Sequence, residues 1–287
     1  MKTSAELKRE RAAGISRRTL EGRSLALMFQ RPSTRTRIAL QLAFSELGGI
    51  PVSLDWSSLQ LARGESVADT GRFFSRVFSG VAARVVSHST VEDLAESCTQ
   101  PVFNALSDLY HPTQIIADLF TIWEKKHRLS GLKLAFVGDG NNVANSLLIG
   151  CAKMGLNVNL ATPKGFEPNP LALKLAEGIV EGGAAINLIR DAIEAVKGAD
   201  VIETDVWVSM GHEQEAAERM KAFFPMYQVN EELLKYASPD AIVLHCQPWH
   251  LGEEITEGVA YGPQCVAFDQ AENRLHTAKA LFAHIII

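Results

Sequence analysis

The sequence predicts an α/β protein with two doubly wound domains, each a parallel sheet with helices on both faces, linked by long helices. In both halves of the chain, apolar runs of strand length alternate with segments of helical periodicity, as in parallel sheets. The 287 residues suffice for two ordinary domains. A polar break at 125–131 indicates the boundary. We therefore place one domain at 1–129, joined by a C-terminal helix at 272–287, and the other at 130–271.

Composition narrows the classes of partner. The formal net charge of -5 gives no overall basic field for nucleic acid, so any anion site must be local. The N-terminus has no signal-peptide core and no apolar run is long enough to span a bilayer, so we expect a cytoplasmic protein without a membrane partner. The four cysteines form no C-x-x-C pair, which argues against structural zinc and a disulfide framework.

The elements follow from apolar periodicity and from residues that begin or end helices. Gly48 and Gly49 end one helix, and Pro112 lies where another begins. The predicted strands are 24–29, 50–54, 81–86, 101–105, 133–137, 157–161, 184–188, 200–203, 241–244 and 265–268. The predicted helices are 4–13, 36–47, 66–79, 90–97, 112–127, 142–154, 170–180, 191–197, 212–222, 230–236 and 273–284. Ligands of such sheets bind outside the carboxyl ends of the strands.

The strand at 24–29 and the helix at 36–47 meet at a run of hydroxyl and guanidinium side chains. It reads Ser33-Thr34-Arg35-Thr36-Arg37. The first turn of a helix offers free backbone N–H groups and the positive end of its dipole. A helix cap flanked by solvated arginines is the alternative. The alternation of hydroxyls with arginines favours an anion site, with phosphate as the matching ligand.

Further polar residues follow the strands of the first half. Arg84 lies in an apolar strand, where it is either a strand end in water or a second arginine for the same anion. His111 and Gln114 are three residues apart at a helix start and can share one face. They suit an uncharged carbonyl or amide group, although a histidine there is more often a cap or a packed residue.

In the second half, the glycine-containing turn at 137–142 suggests a dinucleotide site. Val143 stands where the third glycine belongs and no acidic residue ends the strand at 157–161, so we consider NAD binding unlikely. Asn142 is either a cap or a ligand for an amino-acid carboxylate. Asp205 is the best carboxylate in the chain for an ammonium group, with a helix cap as its alternative role.

Three residues near the C-terminus complete the candidates. Cys246 ends a strand and is either a small buried hydrophobe or a functional thiol, without a protease context, since His245 points to the other face. A cis bond between Gln247 and Pro248 would expose backbone carbonyls. Arg274 opens the last helix, a poor position for a cation unless an anion lies nearby.

Together these residues resemble the carbamoyltransferase family, and among its members those that use ornithine. The matching motifs are S-T-R-T-R at 33–37, H-P-T-Q at 111–114, D-x-x-x-S-M-G at 205–211 and H-C-x-P at 245–248. The resemblance runs from about residue 20 to the end. Gln247 departs from the family, which nearly always has leucine there, and Trp249-His250-Leu251 replaces alanine, histidine and arginine. Members usually carry further helical sequence before the position of residue 1.

The resemblance implies a set of ligands and roles. The substrates would be carbamoyl phosphate and L-ornithine, in a homotrimer or a multiple of trimers, without metal, cofactor or covalent intermediate. The phosphate would be held by Ser33, Thr34, Arg35, Arg84 and, from a neighbouring subunit, Gln60. The carbamoyl group would contact Thr36, His111, Gln114, Arg274, Cys246 and the backbone carbonyl of Gln247. Ornithine would bind Asn142, Asp205, Ser209 and Met210.

The same resemblance assigns the catalytic residues and leaves two alternatives. They would be Arg35, His111, Asp205, Cys246 and Arg274, with Glu65 orienting Arg35. One alternative is a carbamoyltransferase that acts on putrescine or an acylated ornithine. The other is a non-catalytic relative that binds phosphate or an amino acid.

Overall fold

The structure is a computed structural model that describes residues 1–209 and 213–286. The chain divides into two compact units, one formed by Met1–Phe120 with Ala271–Ile287 and the other by Thr121–Gln270. Both divisions fall inside long helices, α5 (Pro112–Lys126) and α12 (Ala267–Ile285). The domain limits given by the sequence stay a prediction.

The first unit is built on a parallel sheet of four strands in the order β2-β1-β3-β4. The strands are β1 (Ser24–Phe29), β2 (Ile50–Asp55), β3 (Gly80–Arg84) and β4 (Val102–Leu106). Besides the ends of α5 and α12, the helices are α1 (Lys2–Ala12), α2 (Arg35–Glu46), α3 (Val67–Val77) and α4 (His88–Ser97). The strand order reverses between β1 and β3, which is where α/β sheets place their ligands.

The second unit carries a parallel sheet of five strands in the order β7-β6-β5-β8-β9. The strands are β5 (Lys133–Val137), β6 (Asn157–Ala161), β7 (Ile186–Ile189), β8 (Val201–Thr204) and β9 (Ile242–His245). The further helices are α6 (Asn142–Met154), α7 (Pro170–Gly178), α8 (Ala192–Val196), α9 (Ala216–Phe223), α10 (Glu231–Leu234) and α11 (Glu257–Ala260). Here the order reverses between β5 and β8. Two parallel sheets flanked by helices confirm the predicted fold class.

One predicted strand is wrong. Residues 265–268 do not extend the second sheet, because Cys265 forms only an isolated bridge with Val243 and α12 begins at Ala267. A short apolar run fits a strand or a buried helix start equally well, and Asp269 in the first turn favours the helix. The predicted helix at 212–222 begins outside the described residues, and its described part is α9 after a 3-10 turn at Glu213–Glu215.

Each sheet has its own apolar core. In the first unit, Leu25, Leu27 and Phe29 of β1 pack with Phe44 and Phe282. In the second, Trp207 stacks on Phe223 with ring centroids 5.5 Å apart, inside a cluster that includes strands β5 and β8. Within the described ranges, no helix combines the length and apolar character needed to cross a bilayer.

Candidate active-site residues in the two units

The junction of β1 and α2 places the hydroxyl–arginine motif at a helix start. Thr34 is the residue before α2, and its side chain makes no capping hydrogen bond there, which removes the cap interpretation for that hydroxyl. Arg35 is the first helical residue, and Ser33 and Arg35 are both half-buried. Thr36 is buried. The first-turn N–H groups and the hydroxyls of this junction are therefore donors of the kind that an anion needs.

Arg274 in α12 joins residues from two other parts of the first unit. Its Nη2 donates to Thr36 Oγ1 at 2.7 Å and its Nη1 donates to Gln114 Oε1 at 2.6 Å. The amide nitrogen of Gln114 donates to Asp118 Oδ1 at 2.8 Å, which fixes the orientation of the amide. All four side chains are buried. Three residues predicted from separate motifs thus form one hydrogen-bonded cluster.

His111 lies in the electrostatic field of two arginines. Arg84 ends β3, where Phe29 of β1 is its partner in register. The side chains of Arg84 and His111 are both buried. Burial, reinforced by the charges of Arg274 and Arg84, holds the pKa of His111 well below its ordinary value. The imidazole is therefore neutral at physiological pH and can donate or accept a hydrogen bond without carrying charge.

Three other residues that follow the hydroxyl–arginine motif or belong to it make contacts outside the buried cluster around Arg274. Gln60 begins the 3-10 turn Gln60–Arg63 and its side chain is exposed. Arg37 forms an ion pair with Asp55 and its guanidinium lies 4.5 Å from the centroid of the Phe29 ring. Glu65 accepts a hydrogen bond from Thr70 Oγ1 at 3.0 Å. The proposed action of Glu65 on Arg35 stays a prediction.

In the second unit, the turn between β5 and α6 is shaped by packing and by a cap. A Cβ at Gly140 would lie 2.3 Å from the carbonyl carbon of Glu167, so this position requires glycine for a close backbone approach. Asn141 caps α6, since its Oδ1 accepts from the N–H groups of Val143 and Ala144. Asn142, predicted as a ligand or a cap, is the first helical residue and is half-buried.

Asp205 follows β8 and is the centre of a polar cluster. Its Oδ2 accepts from Asn141 Nδ2 at 2.8 Å, and its Oδ1 accepts from the thiol of Cys246 at 2.9 Å and from the backbone of Val206 at 2.8 Å. The residue is only 5% exposed. Asp205 is therefore a buried carboxylate held by neutral donors, and none of these hydrogen bonds to described residues caps a helix. Cys246 is a half-buried thiol facing a carboxylate, which supports the functional interpretation over the apolar one.

The turn after β9 has an unusual backbone. Gln247 has φ of 57°, in the left-handed region, and its bond to Pro248 is cis, which is the arrangement that the sequence analysis considered for this pair. His245 Nδ1 accepts from the backbone N–H of Gln247 at 2.8 Å, while His245 Nε2 lies 3.0 Å from Glu254 Oε1. His245 thus contacts a buried carboxylate that the sequence analysis did not single out.

Two residues predicted to bind ornithine lie at the end of the first described range, which stops at residue 209, or directly after it. Ser209 is half-buried, and Met210 lies outside the described residues. The segment before the gap is held by a buried ion pair. Arg219 Nη1 donates to Asp139 Oδ2 at 2.7 Å and to the carbonyl of Trp207 at 2.9 Å. Sequence reasoning missed Arg219, because the two charges of the pair lie 80 residues apart.

Among the residues that the structure describes, two groups of side chains have spacings that a metal ion could use. They are Asp205, His245 and Cys246, and His250, Glu253 and Glu254, with potential ligand atoms within 4.8 Å of one another in each group. Both groups are already connected by hydrogen bonds, from Cys246 to Asp205 and from His250 N to Glu254. A metal bound by Cys246 would have to displace the thiol hydrogen that is donated to Asp205.

The fold and the two residue clusters define a two-domain α/β protein with arginines and hydroxyls on one sheet and a carboxylate and a thiol on the other. Two family models match the chain. The carbamoyl-P binding domain of aspartate/ornithine carbamoyltransferase matches residues 1–124, and the Asp/Orn binding domain matches residues 130–285. The chain belongs to the aspartate/ornithine carbamoyltransferase family.

Individual relatives agree over nearly the whole chain. Ornithine carbamoyltransferase of Thermococcus kodakarensis is 52% identical over 287 residues, which cover 100% of this chain and 91% of the relative. The anabolic ornithine carbamoyltransferase of Pyrococcus furiosus is 51% identical over 95% of this chain and 87% of its own length. The solved structure of the Pyrococcus furiosus ornithine carbamoyltransferase superposes with a TM-score of 0.95, covering 99% of this chain and 91% of that one at 49% identity.

Proposed function

We propose that this chain transfers the carbamoyl group of carbamoyl phosphate to the δ-amine of L-ornithine, giving L-citrulline and phosphate. The buried carboxylate of Asp205, bonded to the Cys246 thiol, is the observation that carries the proposal. An alkyl amine with a pKa of about 10.4 is protonated in water and is attracted by a carboxylate. Aspartate, the other acceptor in the family name, would bring like charges to that position, which is unfavourable. Of the two substrates in the family name, ornithine is therefore the one that fits this site.

In this proposal the first unit binds carbamoyl phosphate. Ser33, Thr34, Arg35 and Arg84 hold the phosphate. Two arginines and a helix start supply charge-assisted donors, each hydrogen bond of this kind contributing about 1.5–3 kcal/mol. The absent capping bond at Thr34 supports this role, because the hydroxyl stays available for a ligand. Gln60, exposed in a single chain, acts on the phosphate of a neighbouring subunit.

Thr36, His111, Gln114 and Arg274 polarise the carbamoyl oxygen, on which negative charge develops when the amine attacks. Arg274 donates to Thr36 Oγ1, so the hydroxyl hydrogen of Thr36 can donate to the substrate. The lowered pKa of His111 supports a role as a neutral hydrogen-bond donor. Donors fixed before the reaction are usually the largest contribution to catalysis of this type.

The second unit binds ornithine. Asn142, Ser209 and the backbone of Met210 hold its α-amino and carboxylate ends, while Asp205 and Cys246 attract and orient the δ-amine, which must lose its ammonium proton before it attacks. The carbonyl of Gln247 accepts from the carbamoyl amide. The amine attacks the carbamoyl carbon, the bond to the phosphate oxygen breaks, and the leaving phosphate takes the proton. No covalent enzyme intermediate forms in this scheme.

We also propose assembly as a homotrimer or a multiple of trimers, in the cytoplasm. Apolar side chains exposed on α2 and β2 of the first unit support an assembly. Ile38 and Leu42 lie one helical turn apart on α2 and are 52% and 42% exposed, and Ile50 at the start of β2 is 62% exposed. Exposed apolar residues that group into a contiguous patch are one mark of a protein interface.

A citrulline-forming assay tests the function directly. The purified chain is given carbamoyl phosphate with L-ornithine, putrescine, N-acetylornithine or L-aspartate, and the carbamoylated product is identified by mass spectrometry. We expect ornithine to be preferred by orders of magnitude, because a site built for a substrate group rejects analogues lacking it by about 10⁴-fold or more. A preference for putrescine or acetylornithine would re-assign the substrate. Activity with none of the four would indicate a non-catalytic relative.

A further inference from the structure

Glu254 is a fully buried carboxylate in the turn that follows β9. One of its oxygens, Oε1, accepts from the backbone N–H of His250 at 2.7 Å and lies 3.0 Å from His245 Nε2. The side chains of His245 and Glu254 are both 0% exposed. Burial of a charge is costly unless hydrogen bonds compensate, so a carboxylate at this depth requires an explanation.

The hydrogen bonds around His245 fix which ring nitrogen carries the proton. Nδ1 accepts the backbone N–H of Gln247 at 2.8 Å and is therefore unprotonated. The ring hydrogen must then lie on Nε2, where it is donated to Glu254 Oε1. The backbone N–H of His245 donates to Gln270 Oε1 at 2.9 Å, and this hydrogen bond fixes the position of the His245 backbone. Glu254 thus selects the tautomer that can hold Gln247.

Gln247 needs such a restraint, because its φ of 57° is unfavourable for a residue with a Cβ. A left-handed conformation costs roughly 1–2 kcal/mol per residue and persists only where the surroundings hold it. The restraints lie on both sides of the turn, at the Gln247 N–H and the His250 N–H, and both depend on Glu254. Cys246, whose thiol donates to Asp205, is the residue between His245 and Gln247, the two partners of one of these hydrogen bonds.

We propose that Glu254 is a positioning residue for the carbamoyl transfer. It fixes the His245 tautomer, His245 holds the backbone of Gln247, and this turn sets the Cys246 thiol and the Gln247 carbonyl in their working positions. Glu254 itself, without exposed surface, does not touch substrate. The inference rests on the proposed function, in which Cys246 and Gln247 act on the reacting groups.

The first test compares Glu254→Ala with Glu254→Gln, and uses Glu253→Gln, at the neighbouring and more exposed carboxylate, as the matched control. Glu254→Ala removes the acceptor of His245 Nε2–H, so kcat/KM for ornithine should fall about 10- to 100-fold, as a displacement of about 1 Å does. Glu254→Gln keeps an accepting oxygen and should restore most of the activity. Glu253→Gln should behave as wild type.

A spectroscopic measurement separates positioning from plain stability. Nitrogen-15 NMR of the histidine-labelled protein should show His245 protonated at Nε2 in the wild type and in Glu254→Gln, and an altered tautomer in Glu254→Ala. Calorimetry with inorganic phosphate serves as a fold check, since the residues proposed to hold phosphate lie in the first unit. All variants should bind phosphate with wild-type affinity.

Because Glu254→Ala leaves a buried donor unpaired and can fail to fold, His245→Gln provides an independent test. The amide nitrogen of the glutamine can donate to Glu254, but glutamine has no acceptor at the position of the histidine Nδ1 for the Gln247 N–H. The kcat/KM should therefore again fall at least about 10-fold. Wild-type kinetics in His245→Gln, or in a folded Glu254→Ala, would overturn the positioning role while leaving the function intact. A wild-type protein that forms no citrulline would instead refute the proposed function.

Discussion

Replacing Asp205 with asparagine changes one side-chain atom and tests whether Asp205 binds the amine of ornithine, the substrate that accepts the carbamoyl group. The amide has the size of the carboxylate but no charge, and one end of it must donate. If that end faces Asn141, two amide donors meet, and Asn141 cannot flip because its oxygen caps α6 through two hydrogen bonds. If it faces Cys246, it meets the N–H of Val206 and the thiol hydrogen. Either orientation leaves a buried donor unpaired, at a cost of about 1–3 kcal/mol in stability.

The expected decrease in kcat/KM of Asp205→Asn follows from the loss of the negative charge. A hydrogen bond between the attacking amine and a charged partner contributes about 1.5–3 kcal/mol, which corresponds to roughly a 10- to 150-fold decrease in kcat/KM for ornithine. The assay is steady-state citrulline formation at saturating carbamoyl phosphate. Asp240→Asn, at an exposed carboxylate of the same unit, is the control and should change neither rate nor KM. Carbamoyl phosphate binding, measured by calorimetry, should be unchanged in Asp205→Asn.

The reasoning would be refuted if folded Asp205→Asn retained the kcat/KM of the wild type for ornithine. A decrease that appeared equally with a neutral amine acceptor would also contradict it, because the argument depends on attraction between charges. A fall in carbamoyl phosphate affinity without change in ornithine use would move Asp205 to the other substrate. The melting temperature should decrease in all cases, since the unpaired donor is present with or without substrate.

Three further predictions concern other residues. Arg35→Ala should abolish carbamoyl phosphate binding in calorimetry without unfolding the chain, and unchanged affinity would remove Arg35 from the phosphate site. Cys246→Ser should retain measurable turnover with weaker use of ornithine, and trapping a competent carbamoylated Cys246 by mass spectrometry would contradict its positioning role. Because the pKa of His111 is lowered in the folded state, its contribution to stability is complete above about pH 6.5 and decreases as the pH falls towards the folded pKa. Denaturant titrations from pH 7 to 5 should therefore show a slope to which His111 contributes up to about 1.4 kcal/mol per pH unit. The substitution His111→Gln should remove that contribution and leave the one from His276, whose pKa burial also lowers. An unchanged slope in His111→Gln would contradict this.

Local sequence signals were sufficient for most of the fold. Strand β1 and helix α2 were predicted within one residue of their observed ends, because an apolar run and a helical repeat meet at a clear junction. The run at 265–268 failed because four apolar residues do not distinguish a strand from the first turn of α12. Periodicity indicates which residues are buried but not the partner to which a short apolar run packs.

The candidate residues were predictable where several chemical groups cluster in sequence, as at 33–37. Residues that act through a distant partner were not. Glu254 stands in an ordinary polar turn, and only the folded chain brings its carboxylate to His245. In the same way, Arg219 pairs with Asp139, which is distant in sequence and close only in the folded chain. Asn141 could have been found, since asparagine immediately before a helical repeat is a common cap.

The geometry around Asp205 also explains why accepting an anionic substrate in place of the cationic amine would need more than one change in the protein. The carboxylate is bonded to the Cys246 thiol, the Asn141 amide and a backbone N–H, all of which are donors. A single substitution that removed the charge would leave these donors facing one another in a buried site. Admitting an anionic acceptor would therefore require replacing Asp205 and giving these donors another hydrogen-bond acceptor. In the proposed function, the preference for the amine substrate depends on this hydrogen-bonded group of residues, because its buried carboxylate favours a cation.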